Sequence, residues 1–156
     1  MKKLSTGSWI ALITSLFTIA SVIVYGVNIN SAGYFQNAAV GNLVLYCILA
    51  VVMLIASVVL GQIKTEGGAA AAVDLITGAL QIAAPVLITL CLINLIAVRV
   101  EGLGFIYFSN ADVILEVQTP QNLSSATGTI ASMVCLGISM LAGMVCAFCG
   151  IRKKNA

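Results

Sequence analysis

Histidine is absent from this chain of 156 residues, and charged residues make up only 8% of it. The absence of histidine excludes imidazole general bases, Ser-His and Cys-His nucleophile pairs, and histidine metal ligands. A typical soluble domain is about one quarter charged, so this chain has too few charges to cover a surface that faces water. We therefore expect most of its surface to face lipid, with the bilayer as its main partner.

The chain also has a small net charge and few groups that could act in catalysis. The net charge of +2 is too small to favour a nucleic-acid partner, and the basic residues cluster near the two chain ends. We find no pair of acids and no nucleophile with a neighbouring base, so we expect no enzymatic activity and no cofactor. The composition favours a non-enzymatic membrane protein with a single domain over residues 1–156.

Apolar residues make up 61% of the chain and fall into long runs without charge. A helix needs about 20 predominantly apolar residues to cross the ~30 Å hydrocarbon core of a bilayer. The predicted fold is therefore an all-α integral membrane protein with four transmembrane helices. We place these helices at residues 9–27, 40–63, 72–98 and 127–151.

The first run follows Met1-Lys2-Lys3, which is also how a signal peptide begins. However, residues 9–27 form a charge-free run of 19 residues, longer than a signal h-region. Trp9 and Tyr25 stand near its two ends, as expected of the aromatic belts at the two membrane surfaces. We interpret the run as the first transmembrane helix.

The basic residues predict the orientation. If both termini are inside, six of the seven basic residues are cytoplasmic and only Arg99 is outside, whereas the reverse topology inverts this ratio. The positive-inside rule therefore favours an N-in/C-in topology in a plasma membrane, and the Met-Lys-Lys start favours a bacterial cytoplasmic membrane. The outer loops are then the short 28–39 and the longer 99–126, and the inner loop is 64–71. The six basic residues are Lys2, Lys3, Lys64, Arg152, Lys153 and Lys154.

The two outer loops share a short sequence, Tyr-Phe-x-Asn-Ala, which begins at Tyr34 and again 73 residues later at Tyr107. The repeat indicates either a duplication of the two halves or a chance match. Exposed aromatic residues are enriched at binding surfaces, and the acids of the second loop would add a negative rim. We predict an external aromatic platform that docks a partner protein or ligand, formed by Tyr34, Phe35, Tyr107 and Phe108. The alternative is that these residues anchor the loops among lipid headgroups.

The longer outer loop contains two segments rich in β-formers, 104–108 and 113–117. Asn110-Ala111-Asp112 lies between them and suits a turn. The pattern predicts either a small hairpin or an amphipathic segment on the membrane surface.

The fourth predicted helix carries small residues at four-residue spacing. Residues four apart stack on one helix face, and small side chains let another backbone approach closely. We predict that this stripe packs against a helix, either of the same monomer or of a second copy. It consists of Ala131, Cys135, Ser139, Gly143 and Ala147.

A small oligomeric transporter or channel subunit is the alternative to a structural or accessory protein. Transport requires polar groups that face a path near the middle of the membrane. The path would run beside Gln81, Pro85 and Asn94, because Pro85 predicts a kink in the third helix. The competing interpretation is that the polar side chains form interhelical hydrogen bonds.

The five cysteines could be arranged in two kinds of metal site, but we expect neither site to be present. Cys146 and Cys149 form a single C-x-x-C without the second pair that marks zinc. Cys47, Cys91 and Cys135 lie at similar depths in their helices, where Cu(I) would find soft ligands. Free cysteine is nevertheless an ordinary packing residue in an apolar interior.

Overall fold

The structure, a computed structural model, describes residues 4–63 and 67–151, and all regular structure in that part of the chain is helical. Four of its helices are long and apolar enough to cross a membrane, which confirms the prediction of an all-α fold with four candidate spans. The six basic residues that predict the orientation lie outside the described residues, so the N-in/C-in topology stays a prediction. The helices are α1 (Thr6–Asn30), α2 (Leu43–Gly61), α3 (Gly68–Phe108), α4 (Ala111–Val117) and α5 (Pro120–Phe148).

Three of the long helices extend beyond predicted ends: α1 by three residues at each end, and α3 and α5 by more. Helix α3 continues past residue 98 to Phe108, because Arg99 and Glu101 end the charge-free run but are good helix formers. Helix α5 begins at Pro120 instead of residue 127. Proline suits the first helical turn, and the Thr119 side chain accepts a hydrogen bond from the backbone N–H of Asn122 at 3.2 Å.

The hairpin predicted in the second outer loop is wrong, and the loop is helical instead. Residues 104–108 form the end of α3, and residues 113–117 lie in α4. The Asn110 side chain caps α4 by accepting a hydrogen bond from the N–H of Val113 at 3.0 Å, and Asp112 in the first turn favours the helix dipole. These capping interactions favour a helix over residues 111–117. Helix α4 has no buried residues, and the alternative, an amphipathic segment on the membrane surface, stays a prediction.

Each long helix buries residues at alternating spacings of three and four. This heptad spacing is the pattern of helices that pack side by side in a left-handed bundle. Helix α1 packs mainly on α5, α2 on α3, and α3 also on α5. The buried seam of α1 includes Ala11, Thr14, Thr18, Ser21, Tyr25 and Asn28, and that of α5 includes Ser125, Thr129, Ser132, Leu136, Ser139, Gly143 and Cys146.

Apolar side chains make up both the core of the bundle and most of its outer surface. Leu54, Ile88, Leu95 and Leu136 are fully buried in one apolar core to which α2, α3 and α5 contribute. Many large apolar side chains point outward along all four long helices, as expected of a surface that faces hydrocarbon. Ser21 and Asn28 of α1 form side-chain hydrogen bonds with α5 inside the bundle.

Candidate functional site

The candidate site lies at the end of the bundle that carries residues 31–42 and 109–119, which we call the Arg99 end. Phe35 holds the first of these segments in place and is only 3% exposed. Its ring and that of Tyr34 lie against Gly102 of α3, where a Cβ atom would stand 2.7 Å from a Cε1 atom of each ring. Glycine is therefore required for this approach, and the segment rests directly on the α3 backbone.

Arg99 lies beneath the same segment and is 2% exposed. Its guanidinium carbon is 4.5 Å from the centroid of the Phe35 ring, a cation–π arrangement. One guanidinium N–H donates to the Ala38 carbonyl, whereas Nε has no hydrogen-bond partner within the described residues. Tyr25 also interacts with the guanidinium, and its hydroxyl accepts a hydrogen bond from the N–H of Val40 at 2.6 Å. Arg99 thus fastens residues 31–42 onto α3 and does not project from the surface.

A hydrogen-bonded group joins the same segment to α1 and α5. The Asn28 side-chain amide donates to the Ser125 carbonyl at 2.9 Å and to Thr129 Oγ1 at 2.8 Å. In return, Ser125 Oγ donates to Asn28 Oδ1 at 2.9 Å and accepts from the N–H of Phe35 at 3.2 Å. Because each side chain serves two partners, the group sets the positions of three chain segments at once.

A cavity of about 230 Å³ opens beside this group, on the outer side of the contact between α1 and α5. Ile23, Val24 and Val27 of α1 contribute apolar side chains to its lining, and Ser31 and Ser124 contribute hydroxyl groups. Its lining contains no charged residue, so the cavity suits an apolar or neutral group.

The predicted aromatic platform is only partly exposed. Tyr34 is 42% exposed and Phe108 is 87% exposed, whereas Tyr107 is half-buried and Phe35 is buried, contrary to the prediction. The Tyr34 ring centroid lies 6.0 Å from that of Phe105, which sequence reasoning did not include in the platform. Tyr107 contacts Phe108, with centroids 6.5 Å apart. The exposed aromatic surface therefore consists of Tyr34, Phe105 and Phe108, and its docking role stays a prediction.

Exposed acids accompany these aromatic rings. Glu101 lies on α3, and Asp112 and Glu116 lie on α4, all three on the surface of the Arg99 end. Arg99 is the only cation within residues 4–63 and 67–151, and it is buried. The surface at this end is therefore negative, which favours a partner that carries basic groups.

The three residues of the predicted transport path are not brought together. Gln81 is buried and donates from Nε2 to the carbonyls of Cys146 and Cys149, at 3.0 and 3.2 Å, at the end of α5. Pro85 is buried against Gly143, where a Cβ atom would stand 3.0 Å from the Pro85 Cβ. Asn94 is exposed on the outside of α3. The contacts of Gln81 agree with the competing interpretation, an interhelical hydrogen bond.

The stripe of small residues on α5 does not lie on one buried face. Ser139 and Gly143 are buried in the contact with α1 and α3, Cys135 and Ala147 are half-buried, and Ala131 is exposed. A step of four residues overshoots one turn by about 40°, so a strict four-residue stripe winds around the helix. The buried seam alternates steps of three and four and therefore stays on one side.

Sequence reasoning missed the polar contacts along α1 and α5. Ser21 Oγ lies 2.9 Å from both the carbonyl and the Oγ of Ser132, and Ser139 Oγ lies 3.5 Å from the Thr14 carbonyl. The signal was present, because hydroxyl residues recur at three- and four-residue spacing in the first apolar run. However, hydroxyl side chains are common in membrane helices and often bond to their own helix, so this spacing alone does not indicate a contact between helices.

The cysteines are placed as packing residues. Cys47 and Cys91 are both fully buried and contact each other between α2 and α3. Cys146 Sγ lies 3.5 Å from the Gly7 carbonyl, in the contact between α5 and α1. Within residues 4–63 and 67–151, no three His, Cys, Asp or Glu side chains converge on a point where they would hold a metal ion.

The chain matches no protein-family model, no curated protein and no solved structure. Functional inference for it therefore depends on the geometry of the Arg99 end and of the bundle surface.

Proposed function

We propose that this chain is a multi-pass membrane protein that acts as a non-enzymatic accessory subunit and docks a partner at its Arg99 end. The observation that carries the proposal is where the polar and aromatic side chains lie in the bundle. Buried polar side chains such as Gln81, Asn28 and Ser21 are bonded to neighbouring helices of the same chain. Among the described residues, three of the five exposed aromatic side chains and three of the four exposed acids lie at the Arg99 end, and the exceptions are Trp9, Phe148 and Asp74.

Insertion in a membrane is supported by the length and surface of the helices. All four long helices present large apolar side chains outward, for example Leu16, Val52, Leu90 and Leu141. An apolar surface of this extent is expected to contact lipid or another protein. With the orientation predicted from the basic residues, the Arg99 end faces the outside of a plasma membrane.

The docking surface that we propose comprises Tyr34, Phe105, Phe108 and Leu115, with Glu101, Asp112 and Glu116 around it. Phe108 is 87% exposed and Leu115 is 83% exposed, so the Phe108 ring and the Leu115 side chain are both available for contact. Aromatic residues are enriched in the cores of protein interfaces, and surrounding charges favour a partner of opposite charge. Phe35, which lies beneath this surface, serves to position Tyr34.

Co-purification from native membranes tests the proposal. We expect Phe108→Ala combined with Leu115→Ala to abolish recovery of a specific partner and to leave the thermal unfolding midpoint unchanged, because both side chains are exposed. Phe148→Ala is the matched control, since Phe148 is 93% exposed at the opposite end of α5. It should keep the partner.

Two results would argue against docking. If the double substitution lowers the stability or the membrane content of the protein and no partner is lost, the residues anchor the chain among lipid headgroups. Solute or ion flux through proteoliposomes that contain the wild-type chain alone, abolished by Gln81→Leu, would favour the transport alternative.

A further inference from the structure

Helix α3 carries a second seam on the side that faces away from the bundle. We call it the outer seam. It repeats the alternating three- and four-residue spacing of the buried seam, and its residues are exposed except for the half-buried Gly104. Spacing of this kind keeps one side of a helix turned toward a second helix over several turns. The outer seam consists of Leu90, Asn94, Ala97, Glu101 and Gly104.

Asn94 is a polar side chain in an apolar setting. It lies within the charge-free residues 75–98, and the exposed Ile93 and Val98 lie beside it. Its amide makes no hydrogen bond within residues 4–63 and 67–151. Hydrocarbon offers no hydrogen-bond partner, so an amide exposed to lipid at this depth is costly. A polar side chain on a neighbouring transmembrane helix would remove this cost.

Glu101 occupies the same position in the repeat seven residues later, about 10 Å further along the helix axis. It is exposed, and no cation within the described residues pairs with it. Ala97 and Gly104 lie on the same seam, and a Cβ atom added at Gly104 would meet no atom within 4 Å. Small residues at these places leave room for the backbone of another helix to approach.

We infer that the outer seam docks a transmembrane helix of a different protein. The partner helix places a Ser, Thr, Asn or Gln against Asn94 and a Lys or Arg against Glu101. This inference rests on the proposed accessory function and specifies the class of partner. A second copy of the chain is a poorer occupant, because a two-fold interface along this seam would set Glu101 opposite the same acid of the other copy.

Site-specific photocrosslinking in native membranes tests the inference. A benzophenone amino acid replaces Ala97 in one variant of the full-length chain, and Ile96 in the matched control. Ile96 is exposed at the same depth but points to the side of the outer seam. We expect the probe at position 97, and not the probe at 96, to crosslink to one other membrane protein. The crosslinked peptide should lie in a transmembrane helix with a basic residue level with Glu101.

Substitutions then test the chemistry of the contact. Asn94→Leu should weaken co-purification of this partner about three- to thirty-fold, the range expected of an interhelical polar contact in a membrane. Glu101→Lys should abolish co-purification, and replacement of the partner's basic residue by Glu should restore it. Restoration by paired charge reversal is not expected of a contact that is merely apolar.

Several outcomes would overturn the inference: a crosslink at position 97 to a second copy of this chain, to lipid alone, or to a helix without a basic residue. Failure of the outer seam is distinguishable from failure of the proposed function. If recovery of a partner still depends on Phe108 and Leu115 while position 97 reacts only with lipid, the docking proposal stands and the seam does not. If the wild-type chain recovers no partner at all, the docking proposal itself fails.

Discussion

The contact of Phe35 and Tyr34 with Gly102 predicts a large difference between two otherwise equivalent substitutions. A Cβ atom at position 102 would stand 2.7 Å from both rings, whereas a Cβ atom at Gly104 would meet nothing within 4 Å. Both glycines lie in α3, so Gly→Ala gains the same helix propensity at each, about 1 kcal/mol. Only Gly102→Ala also pays for overpacking, typically about 1–3 kcal/mol.

We therefore expect Gly102→Ala to be less stable than Gly104→Ala by about 1–3 kcal/mol. Thermal unfolding in detergent at one fixed scan rate measures the difference. Phe35→Ala alone should destabilise the protein by about 3–5 kcal/mol, as for other buried phenylalanines. In the Phe35→Ala background one of the two clashing rings is gone, so the added cost of Gly102→Ala should shrink. Equal stabilities of Gly102→Ala and Gly104→Ala, or an undiminished cost in the double variant, would show that residues 31–42 do not rest on α3 as described.

Two further predictions concern the packing of α5. Gly143→Ile should lower the free energy of unfolding by about 1–3 kcal/mol, because a Cβ atom there is already 3.0 Å from the Pro85 Cβ. The control, Gly137→Ile, places its side chain in open space and should cost far less. Thermal unfolding compares the two variants, and similar losses of stability would refute the described packing. Ser21→Ala should lower the free energy of unfolding by only about 0.6 kcal/mol, the value of a typical interhelical hydrogen bond in a membrane. The loss is small because Ser132 Oγ also donates to the backbone carbonyl of residue 21 at 3.2 Å, and this bond remains. A loss above about 2 kcal/mol in the same assay would mean that the hydroxyl has a further role.

The four long helices could be predicted because a membrane span requires only a run of sufficient length without charge. The ends of α3 and α5 could not be predicted in the same way. Arg99 interrupts the charge-free run but does not interrupt the helix, since its side chain bonds to residues 31–42 and covers Phe35. A charge marks the limit of an apolar run, whereas capping residues such as Thr119 mark the limit of a helix.

The aromatic site could be predicted only in part, because the same residues occur in different surroundings. Phe35 and Phe108 occupy equivalent places in the repeated Tyr-Phe-x-Asn-Ala sequence, but one is buried and the other exposed. Phe35 lies in a turn that packs over Gly102, whereas Phe108 is the last residue of α3 and is 87% exposed. Which of the two rings is covered depends on a tertiary contact 67 residues away in the chain, and local sequence does not contain it.

The buried seam of α5 could also be predicted only in part. The predicted four-residue stripe includes Ser139 and Gly143, which are buried, and also Ala131, which is exposed, because the period of the buried face is set by how the helices of the bundle wind around each other. The hydroxyl residues of α1 that complete this contact carry little hydrophobic signal of their own. They become interpretable once α1 and α5 are known to be neighbours.

The central claim is that four helices cross a plasma membrane with the Arg99 end outside, where its docking surface meets a partner. The most direct test is labelling of intact cells with a membrane-impermeant thiol reagent, in a background from which the native cysteines have been removed. Asp112→Cys, on the exposed surface of α4, should be labelled, and Cys149 restored alone at the opposite end should not. Labelling of Cys149 from outside, with Asp112→Cys protected, would contradict the claim.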